Sequence, residues 1–264
     1  MSDSEYVVLG GPTYRAGAYI IDKFLENQKM IQENYPSSEL VLATIEKDFI
    51  NDLSEALRHW DLKGKVLLYE TLKPDSAVSP VWNVTCGREA IRQYTLSKTE
   101  AKYFLSIDTD MTYDPKIIHI LKKEIEGYDI VVSGYPGKRR GSAIGGLGCA
   151  LFTVGALQKI NFRCYEFRNH RVLDESEVAQ MDSFSKRLKF KNGYFLTMDH
   201  YDRDGVFGHL EPHSINVLRK ISNTLLVRYI LLRASMVIKY NIPSALQQLG
   251  FRFLQSKLLK RDRT

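Results

Sequence analysis

Between residues 6 and 133 the chain repeats one pattern, a short run apolar at nearly every position followed by a longer stretch with helical apolar spacing. The runs fall at residues 6–9, 40–45, 66–69, 103–107 and 130–133, and helical spacing fills 17–33, 49–60, 88–96 and 115–125. A run apolar at every position suits a strand covered on both faces, and strands joined through helical crossovers run parallel. The pattern therefore predicts an α/β fold, a mainly parallel central sheet with helices on both faces. After residue 135 the rhythm loosens. Residues 137–148 are glycine-rich and basic, a helix is expected near 154–160, a short helix over 184–191 and a strand over 194–198. Beyond Pro212 the pattern is helical and cationic.

The 264 residues are 44% hydrophobic and 26% charged, which excludes collagen-like, low-complexity and wholly disordered chains. Three widely spaced cysteines, Cys86, Cys149 and Cys164, with no CxxC pair, argue against a disulfide scaffold or a zinc ribbon and fit a reducing compartment. The formal charge of +6 is unevenly spread: residues 214–264 hold ten Lys and Arg against one Asp, so the rest is net acidic. The basic character belongs to a C-terminal extension, and nucleic acid is not an expected partner. Within that extension residues 221–240 form the longest apolar stretch, but Arg228, Arg233 and Lys239 interrupt it, which makes a poor bilayer span. Leu225, Leu226, Tyr229, Leu232 and Met236 can share one helical face. Such a helix can lie on an anionic membrane surface or pack on the preceding domain. With a polar, acidic N-terminus, the expected location is the cytoplasm, with peripheral membrane attachment through residues 214–264.

The densest chemistry lies at Asp108-Thr109-Asp110, where two carboxylates leave the end of a buried run one residue apart. Ligands of open α/β sheets collect just outside the carboxyl ends of the strands. Close acidic oxygens there call for a cation, and Mg²⁺ or Mn²⁺ prefers oxygen ligands and can hold a diphosphate. At the first strand's end Thr13, Tyr14 and Arg15 bring a hydroxyl, an aromatic face and a guanidinium together, a set suited to a base and a phosphate. Gly146 and Gly148 allow close backbone approach to a ligand. Asp182 is expected to head a helix, as a capping residue or facing a cleft, and Gly208-His209 follows a polar loop that also holds His200.

Taken in order, these elements resemble the nucleotide-diphospho-sugar glycosyltransferases of GT-A fold, in particular family-2-like enzymes, over residues 5–213. The resemblance implies a catalytic domain at 1–213, with a nucleotide-binding half (1–135) and an acceptor and metal half (136–213), followed by the basic extension 214–264. It implies that Thr13, Tyr14 and Arg15 form the nucleotide turn, that Glu46 or Asp48 faces the base, and that Arg88 contacts the nucleotide. Asp108, with Thr109, lies near ribose and metal, Asp110 ligates the metal directly, Gly146 and Gly148 line the donor–acceptor cleft, and His209 completes the metal shell. Asp182 stands as the base of an inverting transfer, although this chain reads Met181-Asp182 where the family shows Glu-Asp. The expected activity is metal-dependent transfer from a UDP-sugar to a hydroxyl of a glycan, lipid-linked sugar or protein, with Mn²⁺ or Mg²⁺ as cofactor. Residues 105–112 also fit the haloacid-dehalogenase phosphatase pattern, with Asp108 as nucleophile, but that motif opens its domain and here four expected strands precede it. A non-catalytic membrane or nucleic-acid binder driven by the basic extension is the other alternative.

Overall fold

A computed structural model describes residues 5–71, 80–136, 143, 144, 146–166 and 172–212. The expectations for residues 213–264, the membrane-binding helix among them, lie outside the described residues. The strands are β1 (Tyr6–Pro12), β2 (Ser38–Thr44), β3 (Gly64–Leu68), β4 (Ala101–Ile107), β5 (Met111–Tyr113), β6 (Ile130–Ser133), β7 (Tyr135–Pro136), β8 (Ala143–Ile144), β9 (Cys149–Thr153), β10 (Tyr165–Glu166), β11 (Val172–Leu173), β12 (Phe190–Gly193), β13 (Met198–Asp202) and β14 (Gly205–Leu210). The helices are α1 (Ile21–Asn34), α2 (Phe49–His59), α3 (Val81–Ser97), α4 (Ile117–Glu124), α5 (Val154–Leu157) and α6 (Glu175–Ser185), with a 3₁₀ segment, Arg15–Ile20, leading into α1.

Seven strands form the central sheet in the order β12-β6-β9-β4-β1-β2-β3. All its pairings are parallel except the two made by β9, which runs antiparallel between β4 and β6. The expected α/β architecture is therefore the observed one. Its centre is dry: residues Val7 to Leu9 of β1, Leu40 to Ala43 of β2 and Ala150 to Phe152 of β9 are buried. Phe104 and Phe152 stack at 5.9 Å across the β4–β9 pair, and Phe162 meets Phe152 edge-on at 5.7 Å. Each such buried ring contributes about 1.5–3 kcal/mol by its removal from water. A second sheet, β14-β13-β5, branches off just after β4.

Local expectations fail where packing overrides pattern. Gly10, Gly11 and Pro12 do not end β1 but continue it. A Cβ at Gly11 would come within 2.6 Å of the Ile107 carbonyl oxygen, so glycine is what lets the two strand ends converge. Within the helical stretch 17–33, Met30 is 46% exposed, while Phe24, Leu25 and Ile31 are buried. The helix expected over 184–191 lies earlier, at Glu175–Ser185, and 190–193 is instead the edge strand β12. Among the described residues no helix is long and apolar enough to cross a membrane.

Candidate active site

The chain leaves β4 at the carboxyl edge of the sheet and turns through Asp108, Thr109 and Asp110 into β5. Tyr113 holds this turn shut: its buried hydroxyl accepts from the Asp108 amide at 2.8 Å and donates to the Gly148 carbonyl at 2.7 Å. Thr109 Oγ1 donates to the Pro12 carbonyl at 3.3 Å, which binds the turn to the end of β1. Burial pushes the Asp108 carboxyl pKa up against the pull of Arg88, and the neighbouring Asp110 charge pushes the same way. Gly148 opens β9 directly opposite, and a Cβ there would strike the Asp108 carboxylate and approach Tyr135 at 3.0 Å. At Gly146 a Cβ would stand 2.8 Å from the Tyr135 hydroxyl. Both glycines therefore lie where a side chain would collide with Tyr135, and at Gly148 with Asp108 as well.

Arg88, on α3, is buried and joins two halves of this edge. One guanidinium nitrogen bonds Asp108 and another bonds Glu175, the first residue of α6. Its Nε and the Glu175 Oε2 have no hydrogen-bond partner among the described residues. A buried cation shared between two carboxylates satisfies most of the charge that burial would otherwise penalise.

At the ends of β1 and β2 the residues expected to form a nucleotide turn lie together. Thr13 is buried, with its amide on the Ala43 carbonyl at 2.8 Å. The Tyr69 hydroxyl donates to the Asn83 carbonyl at 2.7 Å, so the Tyr14 hydroxyl donates to Tyr69 at 2.8 Å. Burial pushes the Tyr14 phenol up to about 12, so it stays a neutral donor. The Arg15 amide donates to Glu46 Oε2 at 2.6 Å, and its guanidinium spans Asp48 (3.3 Å) and Asp52 (3.1 Å) over the Phe49 ring. Of the two acids offered by the sequence, Glu46 lies beside the Tyr14–Tyr69 pair, whereas the Asp48 side chain is 80% exposed. Tyr69 carried no signal in the sequence beyond ending an apolar run.

The histidine expected beside Asp110 is not His209. Residue 199 of β13 is in register with His209 and Thr112, and residue 200 with Gly208 and Met111. Side chains alternate along a strand, so His209 and Asp199 share one face and His200 takes the other. His209 bonds Asp199 at 2.6 Å and Glu211 at 3.3 Å, exposed to solvent, while His200 Nε2 lies 3.2 Å from Asp110 Oδ2. The Pro136 carbonyl, 2.8 Å from His200 Nδ1, can only accept, so Nδ1 carries the proton and Nε2 is the atom turned to Asp110. Burial disfavours the charged His200 ring, yet the Asp110 carboxylate outweighs it and holds the pKa above the usual histidine value.

Among the described residues no group of three or more His, Cys, Asp or Glu side chains stands ready to hold a metal ion. The Asp110–His200 pair nevertheless fits one in donor chemistry: two atoms 3.2 Å apart can share an ion that each binds at about 2.0–2.2 Å. Magnesium-type sites commonly use one or two protein ligands and complete the shell with water and substrate phosphate.

Asp182 does not head its helix. Seven residues into α6, it bonds Arg163 at 2.6 Å, away from the helix start. The helix begins at Asp174, whose side chain caps the Glu177 amide at 2.9 Å, with Glu175 held by Arg88. The signal was present as Asp174-Glu175-Ser176-Glu177, a capping residue followed three places later by Glu.

No protein-family model matches the chain, and no curated protein does. Solved structures do. Glucosyl-3-phosphoglycerate synthase from Mycobacterium tuberculosis, in complex with phosphoglyceric acid, matches over 75% of this chain and 72% of its own, with 16% identity and a TM-score of 0.50. S. aureus TarS 1-349 matches over 72% of this chain with 14% identity and a TM-score of 0.46, and the match spans 59% of the TarS fragment. At such identity the likeness is one of fold: the described sheet and helices have the GT-A nucleotide-diphospho-sugar transferase architecture.

Proposed function

We propose that the chain is a glycosyltransferase that moves a sugar from a nucleotide-diphosphate sugar, a UDP-sugar in the first instance, to an acceptor hydroxyl with inversion. The observation that carries this reading is the convergence of three elements at one sheet edge. The Asp108–Asp110 turn is bonded to the end of β1 through Thr109 and to the start of α6 through Arg88. Donor and acceptor halves thus meet at one pair of carboxylates. The shared fold with a glycosyl-transferring synthase supports the same reading. A phosphatase use of Asp108 has little support, since its carboxylate is engaged by Arg88.

In this scheme the base lies beside Tyr14 and Glu46, and the diphosphate lies near Asp110 and His200. A Mn²⁺ or Mg²⁺ ion held by Asp110 and His200, with Asp108 close by, would neutralise the diphosphate and stabilise it as a leaving group. Asp174 takes the acceptor proton as the acceptor oxygen bonds the anomeric carbon and the carbon–phosphate oxygen bond breaks, its electron pair leaving on the diphosphate. One Asp174 oxygen caps α6 and the other has no bond among the described residues, whereas Glu175 is buried and committed to Arg88. The acceptor is a glycan, a lipid-linked sugar or a protein, and residues 214–264 could bring the chain to an anionic membrane.

The test is nucleotide release from a panel of UDP- and GDP-sugars with Mn²⁺ or Mg²⁺, comparing wild type with Asp174→Asn. Metal-dependent turnover that Asp174→Asn slows without weakening donor binding supports the scheme. Turnover of simple phosphate esters, with none of any nucleotide sugar, refutes it.

A further inference from the structure

A cavity of about 480 Å³ opens between the start of α1 and the β13–β14 hairpin, and none of the roles above uses it. Its volume is that of an ordinary small-molecule site. It adjoins the transfer corner through the backbone: the Tyr201 amide donates to the Asp110 carbonyl at 2.9 Å, and the Tyr19 hydroxyl donates to the Tyr201 carbonyl at 3.3 Å. Tyr19 presents its ring to the cavity side of α1, 46% exposed. The Tyr201 ring forms a second wall, with the Lys23 ammonium 4.5 Å from its centre.

The polar lining is balanced. Asp22 and Lys23 come from α1, Asp202 and Arg203 from the hairpin, and none of the four makes an ion pair among the described residues. One Asp202 oxygen accepts from the Asp204 amide at 2.9 Å, and the other has no bond there. Two acceptors and two donors of opposite charge beside an open aromatic face offer hydrogen bonds of both senses and no net field. A phosphate or an acidic peptide needs a cationic excess, which this lining lacks. A neutral polyhydroxylated ring, with an apolar face for tyrosine and hydroxyls that both donate and accept, satisfies every wall.

We infer that this cavity is a subsite for a neutral saccharide, and that it holds a sugar unit of the acceptor away from the reacting hydroxyl. The assignment to the acceptor rests on the glycosyltransferase reading, whereas the saccharide chemistry of the cavity does not. The occupied site would anchor an acceptor of at least two sugar units against the wall that carries Asp110.

The experiment is saturation-transfer NMR on the full chain with maltose, cellobiose and chitobiose as probes, and glucose 6-phosphate as the anionic arm, each with and without saturating UDP. At least one neutral disaccharide should show transfer that UDP leaves in place. Tyr19→Ala should weaken it fivefold or more, and Tyr19→Phe, which keeps the ring, should retain it. Unchanged thermal melting of Tyr19→Ala confirms that it folds. No transfer from any disaccharide, equal transfer in Tyr19→Ala, displacement by UDP, or preference for glucose 6-phosphate would each overturn the inference. Calorimetry of the wild-type chain with UDP-sugar separates the two claims, because absence of any saccharide signal from the wild type with intact donor binding sinks the subsite alone. A saccharide signal without any donor binding sinks the transferase reading and leaves the subsite standing.

Discussion

Replacing Arg88 by Met removes a buried cation while keeping the length of its stem. Its guanidinium is 5% exposed and bonds the carboxylates of Asp108 and Glu175, themselves 27% and 3% exposed. Breaking a buried ion pair by deleting one partner costs about 3–5 kcal/mol, because the remaining charge is left in a poorly polar site. With a urea m-value of about 2–3 kcal/mol/M, that loss lowers the unfolding midpoint by roughly 1–2.5 M. Glu175→Gln in the same chain should recover about 1–3 kcal/mol of it, since an amide tolerates burial without a cation better than a carboxylate. Equilibrium urea unfolding followed by circular dichroism measures all four members of the cycle: wild type, Arg88→Met, Glu175→Gln and the double variant. The reasoning fails if Arg88→Met melts within about 1 kcal/mol of wild type, or if the double variant is no more stable than Arg88→Met.

Four further outcomes follow from the same geometry. Asp174→Asn keeps the α6 cap but should slow transfer about 10²–10⁴-fold, as for other general bases, with donor affinity unchanged. Asp182→Asn, which loses only a half-exposed pair with Arg163, should leave kcat within about threefold and cost at most about 1 kcal/mol in thermal melting. Gly148→Ala should displace the Asp108 carboxylate, cost about 1–3 kcal/mol by overpacking and cut turnover more than stability, read by parallel melting and donor-turnover assays. His209 is held above the ordinary histidine pKa by its bonds to Asp199 and Glu211. The stability this supplies is therefore complete below the unfolded value of about 6.5 and disappears as pH rises through the folded value. The melting difference between wild type and His209→Gln should shrink from pH 5.5 to pH 8.5. A difference equal at both ends would show that the pairing does not depend on charge.

The central sheet was legible because strands buried on both faces must be apolar at nearly every position, as residues 40–43 and 130–132 are. The Asp108–Asp110 turn and the Thr13–Arg15 turn were legible for a related reason, since both stand immediately after such runs. What the sequence hid depends on register and on partners far along the chain. His200 lies within the polar stretch that His209 follows, and only the pairing of β13 with β5 decides which one faces Asp110. Glu175 looks like any acid in the first turn of a helix until Arg88, distant in sequence, is placed beside it. Asp182 was misplaced because α6 begins seven residues earlier, at a capping pattern the apolar spacing alone does not reveal. The Tyr19–Tyr201 cavity joins residues 182 positions apart and had no linear signature at all.

Titration calorimetry of the full chain with UDP- and GDP-sugars, in Mn²⁺ and then in EDTA, asks most directly whether the β4 exit grips an activated sugar. Binding in Mn²⁺ that EDTA removes, and that Asp110→Asn weakens by about tenfold or more, is the expected result. Donor binding of equal strength in EDTA and in Asp110→Asn, or no binding of any donor by the folded chain, would contradict it.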